Sequence, residues 1–384
     1  VIVTHLTLSD FRNYATLELE LAPGPNLFVG SNGQGKTNLV ESLGYLSTLG
    51  SHRVSSDQAM IRQGQESAIV RAKLAHAGRE VLAEVQLNRS SPNRAQINRG
   101  AIKTRELPRY FSSVLFAPED LALVRGEPSG RRRFLDELLV LRSPRMSAVL
   151  ADYDRVLRQR NTLLKSARSS GLREAQLSTL EVWDDRLIDL GTQIISARAS
   201  LVAALTPEVA RAYAAVAGDD HAASLSTWLS IRANAPDEDD PERVGDEVPS
   251  PEEIAEIFRA AVGRLRRQEL DRGVTLAGPH RDDLVLGLNG MPARGYASHG
   301  ESWSFALALK LASAEVLRRE SAAGDPVLVL DDVFAELDES RRGRLAAAVG
   351  DFEQVLITAA VLGDVPDALA ARVVHIRSGE VVAS

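Results

Sequence analysis

Residues Gly30-Ser31-Asn32-Gly33-Gln34-Gly35-Lys36-Thr37 follow the pattern G-x-x-x-x-G-K-[ST], between a short apolar run at 26–29 and a longer stretch at 37–49. The run before the loop reads as a buried strand. After it, Leu39, Val40, Leu43 and Leu46 recur at helical spacing. A strand, a glycine-rich turn and a helix N-terminus, in that order, aim backbone N–H groups at a phosphate, and the helix adds partial positive charge. In this pattern Lys36 reaches the β- and γ-phosphates and the Thr37 hydroxyl ligates Mg²⁺. The lysine is informative, because only five of the 45 basic residues are lysine. The chain must therefore build an α/β sheet around this loop.

The other half of such a site lies almost 300 residues downstream. Val327-Leu328-Val329-Leu330-Asp331-Asp332 is four aliphatics followed by two carboxylates. A fully buried strand of this kind delivers acids at its C-terminal end, where open α/β sheets bind ligands. Asp331 is the expected Mg²⁺ partner and Asp332 the group that polarises an attacking water, which makes Lys36, Asp331 and Asp332 the candidate catalytic set. Glu336, Leu337 and Asp338 follow. In ATPases of the ABC type a segment ending in Leu-Asp lines a dimer interface, and Asp338 also reads as the cap of a helix. Upstream, Tyr296-Ala297-Ser298-His299-Gly300-Glu301 opens a helix. Ser298 and the amides of Gly300 and Glu301 form a candidate anion site. The segment resembles the ABC signature loop, which contacts the γ-phosphate of ATP held by a second subunit. His299 and Glu301 stand where that loop usually has glycine and glutamine, so Glu301 is expected to point away from phosphate.

Around and between the two halves the pattern changes twice. Short apolar or alternating runs at 3–8, 16–21, 68–74, 81–87, 95–98 and 113–116 read as strands. From 129 to about 218 the pattern is helical. Leu180, Trp183, Leu187, Leu190, Ile194, Ala197 and Leu201 form a seam of three heptads, and Met146, Leu150, Tyr153, Leu157 and Leu164 a similar stripe. Two helices packed antiparallel would bury both stripes internally; a coiled-coil partner surface is the alternative. Residues 234–252 are acidic and proline-rich and read as a solvated loop, with a functional acidic segment as the sharper reading. Strand and helix then alternate to the end. The expected architecture is an α/β P-loop ATPase head of ABC/SMC type with an inserted helical lobe and no long coiled coil. Its parts are lobe I at 1–125, helical lobe II at 126–272 and the remainder of lobe I at 273–384.

Composition excludes several classes. With no cysteine there is no disulfide, cysteine zinc site or thiol catalysis. No apolar run reaches the roughly 18–20 residues of a membrane span, and no secretory signal is expected at the start, so a cytoplasmic location is expected. A net charge of −7 argues against a chain coated in nucleic acid but leaves room for a local basic face.

The motifs together resemble the RecF family of bacterial recombination-mediator ATPases, which is similar in turn to the heads of SMC-type ATPases. The resemblance covers nearly the full length. It rests on Leu8-Ser9-Asp10-Phe11-Arg12-Asn13-Tyr14, the loop Gly30 to Asn38, Leu115-Phe116-Ala117-Pro118-Glu119-Asp120-Leu121, Gly130-Arg131-Arg132-Arg133-Phe134-Leu135-Asp136, Gly278-Pro279-His280-Arg281-Asp282-Asp283-Leu284 and the stretch Leu330 to Asp338. It implies an ATP-dependent homodimer with ATP and Mg²⁺ between two heads, and binding to duplex DNA or to junctions of duplex and single strand. It also implies work with RecR and RecO in loading RecA at gaps, during DNA repair and replication restart after damage. Arg12, Asn13 and Asn38 would lie near the nucleotide, and Glu119 at the lobe-junction sensor position. Thr358 stands at the switch position, where many ABC enzymes have histidine. Threonine there and Asp332 in place of glutamate imply slow hydrolysis, a weak DNA-dependent ATPase acting as a switch. Arg131, Arg132, Arg133, Arg341 and Arg342 are the candidate DNA contacts. The alternatives are the head of another SMC/ABC-type DNA-repair complex and a transport-coupling ABC ATPase.

Overall fold

The computed structural model describes residues 1–170, 177–218, 221–233, 249–320 and 324–382. Along the chain come strands β1 (Ile2–Phe11), β2 (Tyr14–Glu20) and β3 (Gly24–Val29), helix α1 (Lys36–Thr48), then β4 (Ser67–His76), β5 (Arg79–Asn88), β6 (Arg94–Ile97), β7 (Gly100–Ile102) and β8 (Ser113–Phe116). Helices α2 (Leu121–Arg125), α3 (Pro128–Arg142), α4 (Met146–Ser170) and α5 (Leu177–Ala217) follow, with β9 (Ala223–Trp228), α6 (Pro251–Arg272), β10 (Asp283–Leu288), β11 (Met291–Pro292) and the short turn α7 (Ala293–Tyr296). The chain continues as α8 (His299–Glu320), β12 (Val327–Asp331), α9 (Glu339–Val349), β13 (Gln354–Ala359), β14 (Val373–Arg377) and β15 (Glu380–Val382).

Two compact units result. The first holds Val1–Leu121, Glu208–His221 and Ser298–Ser384; the second holds Ala122–Pro207 and Ala222–Ala297. Residues 273–297 thus group with the helices, because β10 is hydrogen-bonded to β9 from Asp283 opposite Trp228 to Leu288 opposite Ala223.

In the first unit an antiparallel sheet runs in the order β2-β1-β4-β5-β6-β7, and a second sheet in the order β15-β14-β3-β13-β12-β8. All neighbours in the second sheet are parallel except β15 on β14. Leu6, Leu8, Val70 and Val85 of the first sheet share one core with Leu39, Leu43 and Leu46 of α1 and with Val329 and Leu356 of the second. Helix α1 is therefore covered on most sides, and even Glu41, Ser42 and Ser47 are buried. The order β3-β13-β12 has the main functional consequence. Phe28 pairs with Thr358 and Asp331 pairs with Thr358, so one residue of β13 lies between the loop strand and the acidic strand.

In the second unit the stripes read from sequence are internal. Leu187, Leu190, Ile194 and Leu201 of α5 and Met146, Tyr153 and Leu164 of α4 are buried. At Gly191 of α5 a Cβ would lie 2.5 Å from Phe258 of α6 and 3.2 Å from Tyr153, which sets how closely these helices approach. Within Thr179–Ala217 the chain is long and apolar enough to cross a membrane, contrary to the expectation from run length, but more than half of its most apolar stretch is buried in the fold. The unit also carries the small sheet β11-β10-β9, of which the sequence reading gives the strand at 284–288 but not β9 or β11. Residues 223–228 alternate weakly, with serine and threonine between the apolar positions, and only pairing with β10 makes them a strand. Of the acidic stretch, residues 234–248 lie outside the described residues.

Candidate nucleotide site

The loop between β3 and α1 holds its shape through contacts distant in sequence. A Cβ on Gly30 would sit 2.2 Å from the Ile376 carbonyl oxygen, and Gly33 and Gly35 have φ of 81° and 112°. Only glycine meets both demands cheaply. The Gln34 carbonyl accepts from Gly379 N at 3.0 Å and from Asn13 Nδ2 at 3.3 Å, while Gln34 Oε1 accepts from Ser378 N at 2.6 Å. The turn between β14 and β15 thus clasps the loop from the far end of the chain, and no local signal announces it. Ser31, Asn32 and Gly33 remain exposed. Gly35 caps α1 without a side-chain hydrogen bond, and the first turn carries no acid. The helix therefore presents its N-terminal amides and partial charge to an anion.

Lys36 is 3% exposed, and its Nζ donates to the Ser31 carbonyl at 3.4 Å. Thr37 Oγ1 donates to Asp331 Oδ1 at 3.2 Å, and Thr358 Oγ1 donates to the same oxygen at 2.5 Å. Thr358 Oγ1 in turn accepts from the Asp332 amide at 2.9 Å. Burial pushes the Asp331 carboxyl up to about 6, against the lowering hydrogen bond from Thr358, and the charges of Asp332 and exposed Glu119 push the same way as burial. Asp332 has φ of 51° and is only partly buried. A buried carboxylate raised in this way gains most from a cation, and a neighbouring hydroxyl supplies a second hard oxygen. Among the described residues no cluster of three or more acidic, histidine or cysteine side chains could hold a metal. Two protein oxygens beside a phosphate loop suit Mg²⁺, which keeps waters and uses substrate phosphates as ligands.

Arg12 and Asn13 stand beside the loop. Arg12 has φ of 54° and forks onto Glu41 of α1 at 2.8 and 2.7 Å, with a third bond to the Ala59 carbonyl. Glu41, which the sequence reading missed, has a fully buried side chain and also accepts from Ser51. Burial raises its carboxyl, yet the bonds from Arg12 and Ser51 outweigh this and leave it below the usual range. Asn38 donates to Asn13 Oδ1 at 2.8 Å and accepts from Arg53 at 2.9 Å. These groups line an open cleft of about 530 Å³ with Gln58, Gln63 and Arg89.

Ser298 and Glu301 cap α8 reciprocally: Ser298 N donates to Glu301 Oε2 at 2.7 Å and Glu301 N donates to Ser298 Oγ at 3.3 Å. The hydrogen bonds to Ser298 hold the Glu301 carboxyl low and turned back on its own helix. His299 is exposed, and Arg341 lies over Gly300, whose added Cβ would meet it at 3.0 Å. Leu337 is buried and Glu336 exposed. Asp338 accepts from Arg341 N at 2.9 Å and caps α9.

Two of the expected DNA-contacting arginines are committed elsewhere. Arg131 is 4% exposed and forks onto Asp283 at 2.7 Å twice, with further bonds to the carbonyls of Leu123 and Gly126. It cannot reach a phosphate without abandoning a partly buried carboxylate. Arg342 donates to the carbonyls of Phe334 and Leu337 and pairs with Asp364 at 2.9 Å. Arg132 donates to the Asp282 carbonyl. Arg133 is exposed and pairs with Glu137.

The Gly278–Asp283 motif builds a separate polar centre in the second unit. Tyr153 Oη and His280 Nδ1 lie 2.8 Å apart, and a cavity of about 430 Å³ is lined by His280, Arg281, Arg132, Ser230 and Trp228. Burial lowers His280 to about 3, so the ring is neutral. Asp282 accepts from Ser230 N and Oγ at 2.8 and 2.7 Å, but burial still pushes its carboxyl up to about 6. A carboxyl raised on folding favours the fold while protonated, and this advantage is lost as pH rises from about 4 through 6. Asp282→Asn keeps the acceptor and removes the charge. Its stability relative to the wild type is expected to improve by about 3 kcal/mol between pH 4 and pH 7. Denaturant titrations across that range measure the difference, and a pH-independent difference would refute the assignment.

Comparison with known proteins shows the family and the fold. The family model described as RecF/RecN/SMC N terminal domain matches residues 2–378. A DNA replication and repair protein RecF from Clavibacter sepedonicus is 67% identical, covering 100% of this chain and 95% of its own. One from Leifsonia xyli subsp. xyli is 64% identical, covering 99% of each. A solved structure of the recombination mediator protein RecF-ATP in the RecFOR pathway superposes with a TM-score of 0.87 at 28% identity, covering 99% of this chain and 96% of that one. An SMC head bound to the C-terminal winged-helix domain of ScpA shares the fold at a TM-score of 0.54 and 15% identity, covering 100% and 97%. On the extent of the family model and the identity of these relatives, the chain belongs to the RecF family of DNA replication and repair proteins.

Proposed function

We propose that this chain is an ATP-gated, DNA-binding homodimer that acts with RecR, RecO and RecA in gap repair and replication restart in the cytoplasm, and that slow ATP hydrolysis resets it. The single observation that carries the reading is the chain of contacts Thr37–Asp331–Thr358–Asp332, which joins the phosphate loop to the acidic strand across β13. Lys36 and the amides of α1 bind the triphosphate. Thr37 and Asp331 hold Mg²⁺, which when bound neutralises charge on the phosphates. Asp332 orients the attacking water. Ser298 and Gly300 of a second copy complete the site, and the Glu301 carboxylate, which accepts from Ser298 N, swings aside to admit the phosphate. The Thr358 hydroxyl carries no proton charge near neutral pH, and Asp332 stands where the commoner residue is glutamate; both support turnover well below the roughly 10 s⁻¹ typical of enzymes.

The test uses the full chain. With ATP and Mg²⁺ the protein is expected to sediment as a dimer and to bind gapped duplex more tightly than blunt duplex, with the preference enhanced by RecR. A protein that remains monomeric with ATP, Mg²⁺ and DNA would contradict the reading, as would turnover above the typical range.

A further inference from the structure

The arginines singled out by sequence proximity are largely spent on internal partners, so a basic surface must come from cations that have none. Residues 89–110 carry six basic residues and one acid, in a chain whose net charge is −7. Arg94, Arg99, Lys103, Arg105 and Arg109 are all exposed. Among the described residues no carboxylate or hydrogen-bond acceptor engages any of their five cationic heads. Elsewhere in the same unit exposed cations do find acids, as Lys73 does with Glu80 and Arg71 with Glu84.

The fold arranges these five along one edge. Strand β7 is the last of the antiparallel sheet, paired only with β6. Ala95 pairs with Ile102, so Arg94 and Lys103 flank that pair side by side at one end of the hairpin. Asn98 and Arg99, with φ of 50° and 68°, make the tight turn at the other end. The hairpin places Arg99 roughly 15 Å from Arg94, about four base-pair rises of a duplex. Arg105 and Arg109 continue on the 3₁₀ turn Thr104–Arg109 just after β7. Between the cations lie the polar residues Gln96, Asn98 and Thr104, suited to phosphate and sugar contacts, and one acid, Glu106. Only one aromatic, Tyr110, accompanies them, whereas single-strand sites rely on several stacking rings.

We infer that the β6–β7 edge and the turn after it form a docking surface for the phosphate backbone of duplex DNA, with Arg94, Arg99, Lys103, Arg105 and Arg109 as its contacts. The inference rests on the DNA-binding reading above and assigns the surface that carries it. Binding there is backbone-directed and independent of base sequence, because the surface offers spaced cations along a sheet edge, which position a duplex through its phosphates.

The experiment compares wild type with Arg94→Gln/Arg99→Gln/Lys103→Gln/Arg105→Gln, using a duplex oligonucleotide, ATP and Mg²⁺ over a salt series. The variant is expected to bind ATP and melt like the wild type, since no partner is orphaned. Its duplex affinity is expected to fall at least tenfold near 0.1 M salt, and its slope of log affinity against log salt to shrink by roughly 2–4, at about 0.9 for each phosphate left without its cation. Arg133→Gln is expected to leave the slope unchanged. An unaltered slope in the quadruple variant would overturn the inference while leaving the ATP-gated reading intact. So would self-association of the variant with unaltered DNA affinity, which would mean that the cations only guard an open sheet edge. Failure of the wild type to bind duplex with ATP would overturn the functional reading and this surface with it.

Discussion

Lys36→Met is expected to weaken ATP binding at least about 100-fold and to abolish ATP-dependent dimerisation, with the melting temperature held or slightly raised. The Lys36 ammonium is almost wholly buried and has one long bond, to the Ser31 carbonyl. Among the described residues no carboxylate pairs with it. A buried cation so poorly matched costs the fold free energy, and replacing it with an apolar side chain of similar volume relieves that cost. A triphosphate at the loop would supply the missing anion through charge-assisted hydrogen bonds worth roughly 1.5–3 kcal/mol each. Two such bonds correspond to the 100-fold loss or more. Isothermal titration with ATP and sedimentation with and without ATP measure the two effects. A variant that still dimerises on ATP addition would show that Lys36 does not read the phosphates.

The second large effect is structural. Arg160→Met is expected to destabilise the second unit by about 4 kcal/mol, and the added change Glu269→Gln to recover part of the loss. Arg160 is fully buried and donates to Asp184 at 2.8 Å, Glu269 at 2.5 Å and Thr275 at 2.7 Å. Burial alone would lower the guanidinium, but the bonds and charges of Glu269 and Asp184 raise it instead. Removing the arginine strands two buried carboxylates; among the described residues Asp184 keeps Arg266 and Glu269 keeps only the Leu276 amide. Loss of one partner from a buried pair typically costs 3–5 kcal/mol, most of it from the orphaned charge. Neutralising Glu269 removes that charge, hence the expected rescue. A single variant within 1 kcal/mol of wild type in denaturant unfolding would show that water already reaches the cluster. Thr275 leads directly into the Gly278–Asp283 motif, so this cluster also positions the Tyr153–His280 pair.

Much of the nucleotide site was legible because its chemistry is local. A glycine-rich turn between a strand and a helix must present amides, and four aliphatics ending in two acids must be a buried strand arriving at a sheet edge. Most strands and helices followed from periodicity for the same reason. The seams of α4 and α5 are internal because α6 joins them in one lobe, with Phe258 of α6 and Tyr153 of α4 meeting at Gly191 of α5. What failed was whatever depended on a partner remote in sequence. β9 is a strand only because β10 pairs with it. Arg131 looked like a surface cation in a run of three, yet Asp283 claims it from over 150 positions away. Glu41 carries no sequence signal, because its partner Arg12 reaches α1 from the turn after β1, in the first sheet. The five cations from Arg94 to Arg109 did not stand out in sequence because they are spaced, not clustered.

The sequence by itself determined that a phosphate loop and an acidic strand exist, that a helical lobe separates them and that the chain resembles one family. Only the tertiary structure decided how the two halves meet. The parallel order β3-β13-β12 sets Thr358 between them and brings Thr37 to 3.2 Å from Asp331. It also decided which arginines are available to a partner, because a guanidinium's fate depends on the carboxylates that folding brings within reach. Local pattern fixes what each segment can be, while pairing across hundreds of residues fixes which polar groups are satisfied and which are left to bind.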